Sequence, residues 1–458
     1  MGRMRPLSGA AVVVLLGALT AAVQRDTATS SSFQMRVVTT GLDAPWEVTW
    51  GPDDRLWVTE RRGRRVVRVD PAGGMRTTAV EIPEVHQSIG QDGLLGLALH
   101  PALLSGTGND YVYLALTYDD APGPALRRRM AIRRYTYDAA SSRLTSPIEL
   151  LTGLPANDDH FGGRLAIGPD GRLYLSIGDL GANFGRNRCM PNQAQRLPSQ
   201  AELDNRDWSA YQGKILRLAL DGSIPPDNPV VGGVRSHVFS YGHRNPLGLA
   251  FDREGRLYES EHGPSSDDEV NLIEAGRNYG WPLVAGYRDG RAYVYENWAA
   301  STPTPCGSLP PGNAVPPSVP TQPETAWSDP AFAPPLRTFF TVDQPNPRLG
   351  GATMAPGGID VYTSEAIPGW SRSVLALSLI RGIVYRLPLA ADGRSVLEPV
   401  EELDTANRYR DIAVSPDGRT IFLATDVEGA SIDAAGGRRP LANPGSILAF
   451  TYSGRTAN

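Results

Sequence analysis

The sequence is poor in cysteine, in charge of one sign and in long hydrophobic runs. Two cysteines, Cys189 and Cys306, among 458 residues exclude a disulfide scaffold, and neither belongs to a zinc-binding Cys-x-x-Cys pair. A formal net charge of -5 provides no field that would attract nucleic acid or an anionic membrane. No Gly-x-Gly-x-x-Gly motif joins a strand to a helix, which disfavours NAD chemistry. We therefore expect a neutral small molecule as the partner.

The one long apolar run lies at the N-terminus. Arg3 and Arg5 precede the apolar residues 10–16, and small residues follow as far as Ala22, which is the order of a secretory signal. A membrane anchor is the alternative, but the run is shorter than the roughly 20 residues that a span needs. We expect a periplasmic or secreted protein, in which the two cysteines could pair or stay free. The predicted boundaries are a signal peptide at 1–23, a linker at 24–34 and a folded domain at 35–456.

Six copies of a strand-turn-strand pattern run through the rest of the chain. In the first copy, the turn at Pro52 separates the alternating segments 46–50 and 56–60. The other copies contain Leu94, Leu165, Leu249, Val374 and Ile412. Each unit has roughly 70 residues and forms a short antiparallel sheet that cannot bury both of its faces alone. Such units bury their faces by stacking radially. We predict an all-β fold, a six-bladed β-propeller with long inter-blade loops, and a proline-rich surface excursion between blades near 297–335.

The loops between these units carry residues with distinct chemistry. His160 follows two aspartates, and a neutral imidazole can accept a proton near neutral pH. Arg244 lies in a Gly-His-Arg-Asn-Pro segment, where a fixed cation could stabilise developing negative charge. Arg408 and Arg410 alternate, so on one strand both would face the same side and could bind carboxylates. Taken singly, each of these residues could equally be a solvent-exposed turn residue. A base and several cations around one mouth of the predicted propeller, however, suggest a redox enzyme.

A series of loop motifs runs in order through nearly the whole mature chain. They are the segments at 90–96, 159–160, 163–165, 213–217, 221–225, 242–246, 263–269, 278–282, 407–411 and 443–446. In this order they resemble the soluble quinoprotein glucose dehydrogenase and aldose sugar dehydrogenase family. The resemblance implies a six-bladed propeller that binds pyrroloquinoline quinone and calcium. It also implies oxidation of an aldose at the anomeric carbon to the lactone, with hydride transfer to the quinone.

The resemblance also implies catalytic and substrate-binding roles. His160 matches the family's base, and Asp179 matches a carboxylate that orients the imidazole and stabilises its protonated form. Arg244 matches the residue that polarises a quinone carbonyl, so we expect it to act in catalysis as well as in cofactor binding. Gln91 and Asp159 match polar groups that face the sugar.

Further residues match the family's cofactor and metal positions. The expected quinone-binding residues are Gln91, Arg244, Asn245, Thr353, Arg408 and Arg410. The carbonyl oxygens of Gly263 and Pro264 match ligands of the calcium ion that touches the quinone. A second, structural calcium region, associated with dimer formation, is expected at Asp268, Glu269, Tyr279, Ala285 and Asp289. A homodimer is therefore expected, whereas the electron acceptor is not indicated.

The chain departs from the family pattern at two places. Ile380, in Leu379-Ile380-Arg381-Gly382, stands where the family has a cofactor-binding lysine, and Arg381 could replace that charge only through a bulge or altered register. The segment 346–353 and the Phe184-Gly185 pair replace residues that shape the family's sugar pocket. We therefore expect a preference different from glucose. The alternatives are an exported, non-catalytic binding propeller and a calcium-dependent, lactonase-like hydrolase.

Overall fold

The computed structural model describes residues 32–454 except 89, 122, 124, 265, 292, 311–313, 343–352 and 434. The predicted signal peptide and most of the predicted linker lie outside the described residues. Six four-stranded antiparallel sheets form the blades of a propeller, which confirms the predicted fold class. The innermost strands of neighbouring blades pack side by side around a central channel.

The strands follow the chain from blade to blade, each blade running from its innermost to its outermost strand. After β1 (Phe33–Thr39), blade 1 contains β2 (Pro45–Trp50), β3 (Leu56–Glu60), β4 (Arg65–Val69) and β5 (Arg76–Glu81). Blade 2 contains β6 (Leu94–Leu99), β7 (Tyr111–Asp119), β8 (Arg128–Asp138) and β9 (Arg143–Pro155). Blade 3 contains β10 (Gly162–Ile167), β11 (Leu173–Ile177) and β12 (Lys214–Leu218), then the hairpin β13 (Val230–Val231) and β14 (Val234–Arg235), and finally β15 (Val238–Tyr241).

The second half of the ring repeats this order. Blade 4 contains β16 (Pro246–Phe251), β17 (Leu257–Glu261) and β18 (Asp268–Ile273), then the inserted pair β19 (Val294–Glu296) and β20 (Thr321–Pro323), and finally β21 (Arg337–Phe339). Blade 5 contains β22 (Pro356–Tyr362), β23 (Ser373–Ser378), β24 (Val384–Pro388) and β25 (Val400–Glu402). Blade 6 contains β26 (Tyr409–Val414), β27 (Thr420–Thr425), the hairpin β28 (Ser431–Ile432) and β29 (Arg438–Arg439), and β30 (Ile447–Tyr452).

The first strand closes the ring. β1 pairs antiparallel with β30 in blade 6, with Phe33 opposite Tyr452. The Phe33 ring also packs on Trp370, at a centroid distance of 5.2 Å. Blade 6 therefore combines β1 and β30, the first and last strands of the described residues. β1 begins two residues before the predicted domain boundary at residue 35.

The proline-rich excursion is an insertion within blade 4, and the prediction that it lies between blades is wrong. It runs from the end of β18 to the start of β21 and carries 3₁₀ turns at Trp298–Ala300, Cys306–Ser308 and Glu324–Ala326. Its small apolar core contains Trp298, Cys306, Leu309 and Val319. The spacing of short strands in the sequence did not predict that the excursion lies inside blade 4, because β21 pairs with β18 across a long insertion.

Helices are short, as the 39 prolines and 49 glycines predict. Among the described residues the α-helix spans Gln200–Asp204, where Ser199 and Glu202 form a capping box. Further 3₁₀ turns lie at Gly185–Asn187 and Ser209–Tyr211. No helix in the described part of the chain has the length and apolarity to span a membrane.

The antiparallel order of each blade determines where the site lies. The loop that enters an innermost strand and the loop that leaves the second strand emerge at the same end of a blade. Gln91, His160, Arg244, Thr353 and Arg408 all lie in loops of the first kind. Asp179 and Gly263 lie in loops of the second kind. The loops of these seven residues therefore meet at one mouth of the channel.

Candidate active site

His160 and Asp179 form a buried pair. His160 Nδ1 lies 2.7 Å from Asp179 Oδ1. The other carboxylate oxygen, Oδ2, accepts hydrogen bonds from Asn192 at 2.9 Å and from the Trp281 indole at 2.7 Å. His160 is 5% exposed and Asp179 is fully buried. Since a carboxylate accepts the Nδ1–H, it fixes the tautomer in which Nε2 carries the lone pair that can accept a proton.

Asp159 connects this pair to the loop of Gln91. Its Oδ1 accepts a hydrogen bond from Gln91 Nε2 at 3.2 Å and another from the His160 amide at 3.0 Å. The two residues predicted to face the sugar therefore lie together, beside the base. The Gln91 side-chain oxygen is buried without a partner.

Arg244 and Asn245 are held by Glu261, which the sequence did not single out. Glu261 Oε2 accepts from the Arg244 amide at 2.6 Å and from the Asn245 amide at 3.3 Å. The Arg244 guanidinium bonds the His262 carbonyl oxygen at 3.1 Å, and the Arg244 carbonyl oxygen accepts from the Asp179 amide at 2.7 Å. Arg244 and the His160–Asp179 pair are thus fixed in adjacent loops.

Arg408 and Arg410 lie together, but not by the predicted alternation. β26 begins at Tyr409, after Arg408, and its register shifts between Tyr409 and Asp411. Arg410 pairs with Asp426, and its guanidinium lies 4.6 Å from the Trp46 ring centroid. Burial lowers the pKa of Arg408 below its ordinary value, and Asp426 opposes this effect.

Arg61 is a third cation in this group that sequence reasoning missed. It donates to the carbonyl oxygens of Gly90 and Asp92, on either side of Gln91. Burial and the neighbouring Arg410 lower its pKa below the ordinary value. Arg61 follows the second strand of blade 1, as Asp179 follows the second strand of blade 3. This equivalent position in the repeat is the sequence feature that could have identified Arg61.

The Gly263 turn is supported by Asp268. Asp268 Oδ1 accepts from the Gly263 amide at 2.9 Å, and Oδ2 accepts from Thr353 and from the Met354 amide at 2.7 Å. Burial raises the pKa of Asp268 to about 6. Asp268 therefore joins the predicted calcium loop of Gly263 and Pro264 to the predicted cofactor residue Thr353, and its oxygens already have partners.

Two side chains of the predicted second calcium group, Tyr279 and Glu269, make hydrogen bonds within the protein. The Tyr279 hydroxyl donates to the Leu272 carbonyl oxygen at 2.6 Å, and its ring stacks on His243 at 4.7 Å. Its side chain is thus part of the core, which leaves the backbone carbonyl oxygen of Tyr279 as its expected ligand atom. The Glu269 carboxylate accepts from the Gly286 amide at 2.7 Å.

Glu324 is the acidic side chain near Asp289 that the sequence did not reveal. Its Oε1 accepts from the Gly290 amide at 2.7 Å. Burial, the nearby Asp289 and Asp267 raise its pKa to about 7, while amide hydrogen bonds from Gly290 and Ala285 oppose the shift. Ala285 and Asp289 therefore meet at Glu324, which lies far along the chain on the insertion.

Comparison with known proteins shows the family. The model described as glucose / sorbosone dehydrogenase matches residues 42–311 and 342–433. The chain belongs to this family. Quinoprotein glucose dehydrogenase B of Acinetobacter calcoaceticus is 41% identical over 446 residues, which cover 93% of each protein. The chain is accordingly an oxidoreductase.

Two further relatives agree. The aldose sugar dehydrogenase of Escherichia coli is 28% identical over 408 residues, covering 88% of this chain and 92% of the relative. The PQQ-bound form of the Streptomyces coelicolor aldose sugar dehydrogenase superposes with a TM-score of 0.63 at 27% identity, covering 93% of this chain and 99% of that one.

Ile380 lies in the turn between β23 and β24 rather than on a strand. The expectation that Arg381 could replace the missing charge only through a bulge or altered register assumed that both residues lie on a strand, so it does not apply to this turn. Arg381 lies in the same turn, with its guanidinium 5.2 Å from the Phe340 ring centroid. It also lies beside Tyr385, whose pKa burial raises to about 12. The segment 343–352, with most of the predicted altered loop, lies outside the described residues.

Phe184 forms an aromatic wall at the mouth. Its ring stacks on His160 at a centroid distance of 5.7 Å and contacts the Arg244 guanidinium at 5.4 Å. Trp281 contacts the same guanidinium at 5.3 Å. Arg244 is thus in contact with two aromatic rings, and Phe184 remains 44% exposed. The predicted departure at Phe184 therefore lies directly beside His160.

The Phe184 loop is tied to the blade 4 insertion. Cys189 and Cys306 form a disulfide, which decides between the two states that the sequence left open. Asn183 donates to the Glu296 carbonyl oxygen and accepts from the Trp298 amide at 2.9 Å. Blades 3 and 4 are thereby joined next to His160.

Proposed function

We propose that the protein oxidises an aldose at the anomeric carbon to the lactone, with pyrroloquinoline quinone and calcium. The buried His160–Asp179 pair beside Arg244 carries the proposal. The quinoprotein from Acinetobacter calcoaceticus and the PQQ-bound Streptomyces coelicolor structure support the choice of cofactor. An aldose is a neutral small molecule, consistent with the low net charge of the chain.

His160 acts as the base. Its Nε2 accepts the proton of the anomeric hydroxyl while the hydrogen on the same carbon leaves as hydride, so the carbon loses two electrons and becomes the lactone carbonyl. Asp179 stabilises the imidazolium that forms. When bound, the quinone supplies the hydride acceptor. Gln91 and Asp159 lie beside the base and would orient the sugar hydroxyls.

The residues at the mouth fit a carbonyl-bearing polyanion. Arg61, Arg408 and Arg410 bring three positive charges together, and the carboxylate of Asp426 interacts with all three. Among the described residues, Arg244 Nε, Arg408 Nε, Gln91 Oε1 and His262 Nε2 are buried without partners. Buried polar atoms normally have partners, so this set indicates a ligand that completes them. Arg408 and Arg410 would bind its carboxylates, and Asn245 and Thr353 would bind its polar edges.

Arg244 would provide electrostatic stabilisation. A guanidinium held rigidly at the site stabilises negative charge that develops during hydride transfer more than it stabilises the resting state. The carbonyl oxygens of Gly263 and Pro264 would hold calcium at the same mouth, since calcium prefers oxygen ligands. Asp268, Glu269, Tyr279, Ala285 and Asp289, with Glu324 beside Asp289, would form the region of a second, structural calcium. Export to the periplasm or beyond, and a homodimer, belong to the same proposal.

The test is dye-linked oxidation of an aldose panel by purified apoprotein, with calcium, before and after addition of pyrroloquinoline quinone. Quinone binding is measured separately, by absorbance titration, in the wild type and in His160→Ala. We expect activity only with quinone, and we expect His160→Ala to bind quinone but to lose at least about a thousandfold in kcat.

The outcomes separate the rivals. Quinone-independent lactone hydrolysis would favour the hydrolase, and the absence of both quinone binding and oxidation would contradict the proposal. A chelator should abolish quinone-dependent oxidation, and calcium should restore it. If chelation leaves oxidation unchanged, calcium has no place in the mechanism.

A further inference from the structure

A group of polar side chains is buried in the core beneath the Arg244 loop. His243, Glu259 and Glu261 each offer one ligand atom, and these atoms lie within 4.8 Å of one another. Asn271 bridges the group, because its Nδ2 donates to Glu259 at 3.0 Å and to Glu261 at 3.4 Å. His243, Glu259 and Asn271 are fully buried, and Glu261 is 3% exposed. The mechanism proposed above uses none of the atoms that converge here.

The group has an excess of negative charge. Glu269 also accepts from Asn271, so three carboxylates share one amide donor. The nearby Lys214 gives its three protons to the carbonyl oxygens of Gln193, Ala194 and Gln212. Its ammonium therefore forms no ion pair with these glutamates in the described contacts. Burial of uncompensated carboxylates is costly, so a proton or a cation must offset their charge.

Two oxygen atoms of the group have no partner. Glu259 Oε1 and Asn271 Oδ1 are buried and make no hydrogen bond within the described structure. A shared proton between Glu259 and Glu261 would leave the Asn271 oxygen unsatisfied. A cation can accept both oxygens as ligands, which a single proton cannot do.

His243 is oriented as a ligand. Its Nε2 lies 2.9 Å from Ser240 Oγ, and its Nδ1 lies 3.2 Å from Glu261 Oε1. In the tautomer whose Nε2–H donates to Ser240 Oγ, the Nδ1 lone pair can bind a cation together with Glu261 Oε1. A ligating histidine typically donates its other N–H to a polar neighbour in this way.

We propose that His243, Glu259 and Glu261 bind a divalent metal ion of the zinc or manganese type in the core of blade 4. One imidazole with carboxylates suits these ions, whereas calcium prefers a shell made of oxygen atoms alone. Because Glu261 Oε2 holds the amides of Arg244 and Asn245, the ion braces the loop that carries the active-site cation. The site is structural and does not depend on the proposed sugar oxidation.

The test is the metal content of the purified, untagged protein, produced with added zinc or manganese and dialysed against a chelator. Elemental analysis should find about one equivalent of zinc or manganese per chain, because a fully buried ion exchanges slowly. X-ray absorption should show one nitrogen and carboxylate oxygens at about 2.0–2.2 Å. Calcium is counted separately, so the calcium sites of the proposed function do not affect the result.

Two variants make the test specific. Glu259→Gln removes one ligand charge with little change in shape, and we expect its zinc or manganese content to fall at least about tenfold. Glu402→Gln, a buried glutamate of blade 5 that pairs with Arg386, is the matched control and should keep the metal. Less than about a tenth of an equivalent in the wild type, or equal metal in the wild type and Glu259→Gln, would overturn the proposal and assign the charge balance to shared protons.

Discussion

At the scale of single residues, the site depends on side chains that are held by several partners at once. Asp179 accepts from His160, Asn192, Trp281 and the Gly181 amide, so its orientation is fixed before any substrate arrives. Pre-organised groups of this kind avoid reorganisation during the reaction. The residues with unmatched atoms, such as Arg244 and Arg408, are those for which we propose a ligand.

Asp179→Asn tests the orienting role. An amide can present its N–H to His160 Nδ1 and thereby hold the wrong tautomer, so kcat should fall by about a thousandfold to ten-thousandfold. Quinone affinity should change less than about twofold, because the Asp179 side chain makes no described contact with Arg61, Arg408 or Arg410. Steady-state kinetics and absorbance titration measure the two quantities. A kcat within about tenfold of the wild type would show that His160 does not need Asp179.

Ile380→Lys tests the missing cation. A lysine at this turn would add positive charge at the position where the family carries one, so quinone should bind several-fold more tightly. Ile380→Met has a similar length without the charge and is the matched control. Equal dissociation constants for the two variants, measured by titration of the apoproteins, would show that Arg61, Arg408 and Arg410 already suffice.

His237 gives a pH dependence away from the active site. Burial lowers its pKa to about 4, from an unfolded value near 6.5, while it bonds Tyr211 and the Gly222 carbonyl oxygen. The unfolded state therefore binds more protons between these pH values, and the free energy of unfolding should fall as pH drops from 6.5 to 4. The loss attributable to His237 should be about 3 kcal/mol.

Urea denaturation of the wild type and His237→Gln between pH 4 and 7.5 measures this difference. The variant should be less stable at neutral pH but should show a shallower decline towards acid. Parallel curves for the two proteins would show that His237 titrates normally.

At the scale of elements, the strands were predictable and the loops between them were not. Segments such as Leu56–Glu60 are buried on both faces of the sheet. Their residue pattern therefore predicts a strand whichever elements pack against them. Arg408 and Arg381 were assigned to strands by the same rule, yet they lie outside β26 and in a turn. Loop conformation depends on partners from other blades, which local periodicity does not encode.

The disulfide is the clearest link between elements. Cys189 and Cys306 are 117 residues apart in sequence, so their bond restricts a long loop in the unfolded chain. The double variant Cys189→Ser/Cys306→Ser should lose about 2–4 kcal/mol of stability. It should also raise the KM for the sugar, because the Phe184 wall is tied to the insertion beside this bond.

Thermal unfolding and sugar kinetics with added quinone check both effects. Mild reduction of the wild type should reproduce the changes and leave the double variant unaffected. A double variant with unchanged KM and unchanged thermal midpoint would show that the non-covalent contacts of Asn183 hold the loop alone.

At the scale of the whole molecule, stability depends on closing the ring. β1 supplies the outermost strand of blade 6 although it comes from the opposite end of the chain. Without it, β30 would become an exposed edge strand, and Phe33 would no longer cover Trp370 and Tyr452.

A chain that begins at residue 41 should therefore aggregate or lose at least about 10 °C in thermal midpoint. A chain that begins at residue 32 keeps β1 and is the control. Scanning calorimetry and size-exclusion chromatography provide the readouts. Equal thermal midpoints for the two chains would mean that blade 6 is stable with three strands.

The sequence by itself determined the propeller, and its resemblance to a known family supplied the candidate site residues. Alternation and turn residues define strands locally, whereas His160, Asp179 and Arg244 became candidates through the resemblance of the loop motifs to the family. Only the tertiary structure decided that Arg61 joins Arg408 and Arg410, that Glu324 meets Asp289, and that the two cysteines pair. These contacts join blades or loops distant in sequence, so their formation depends on how the whole ring packs.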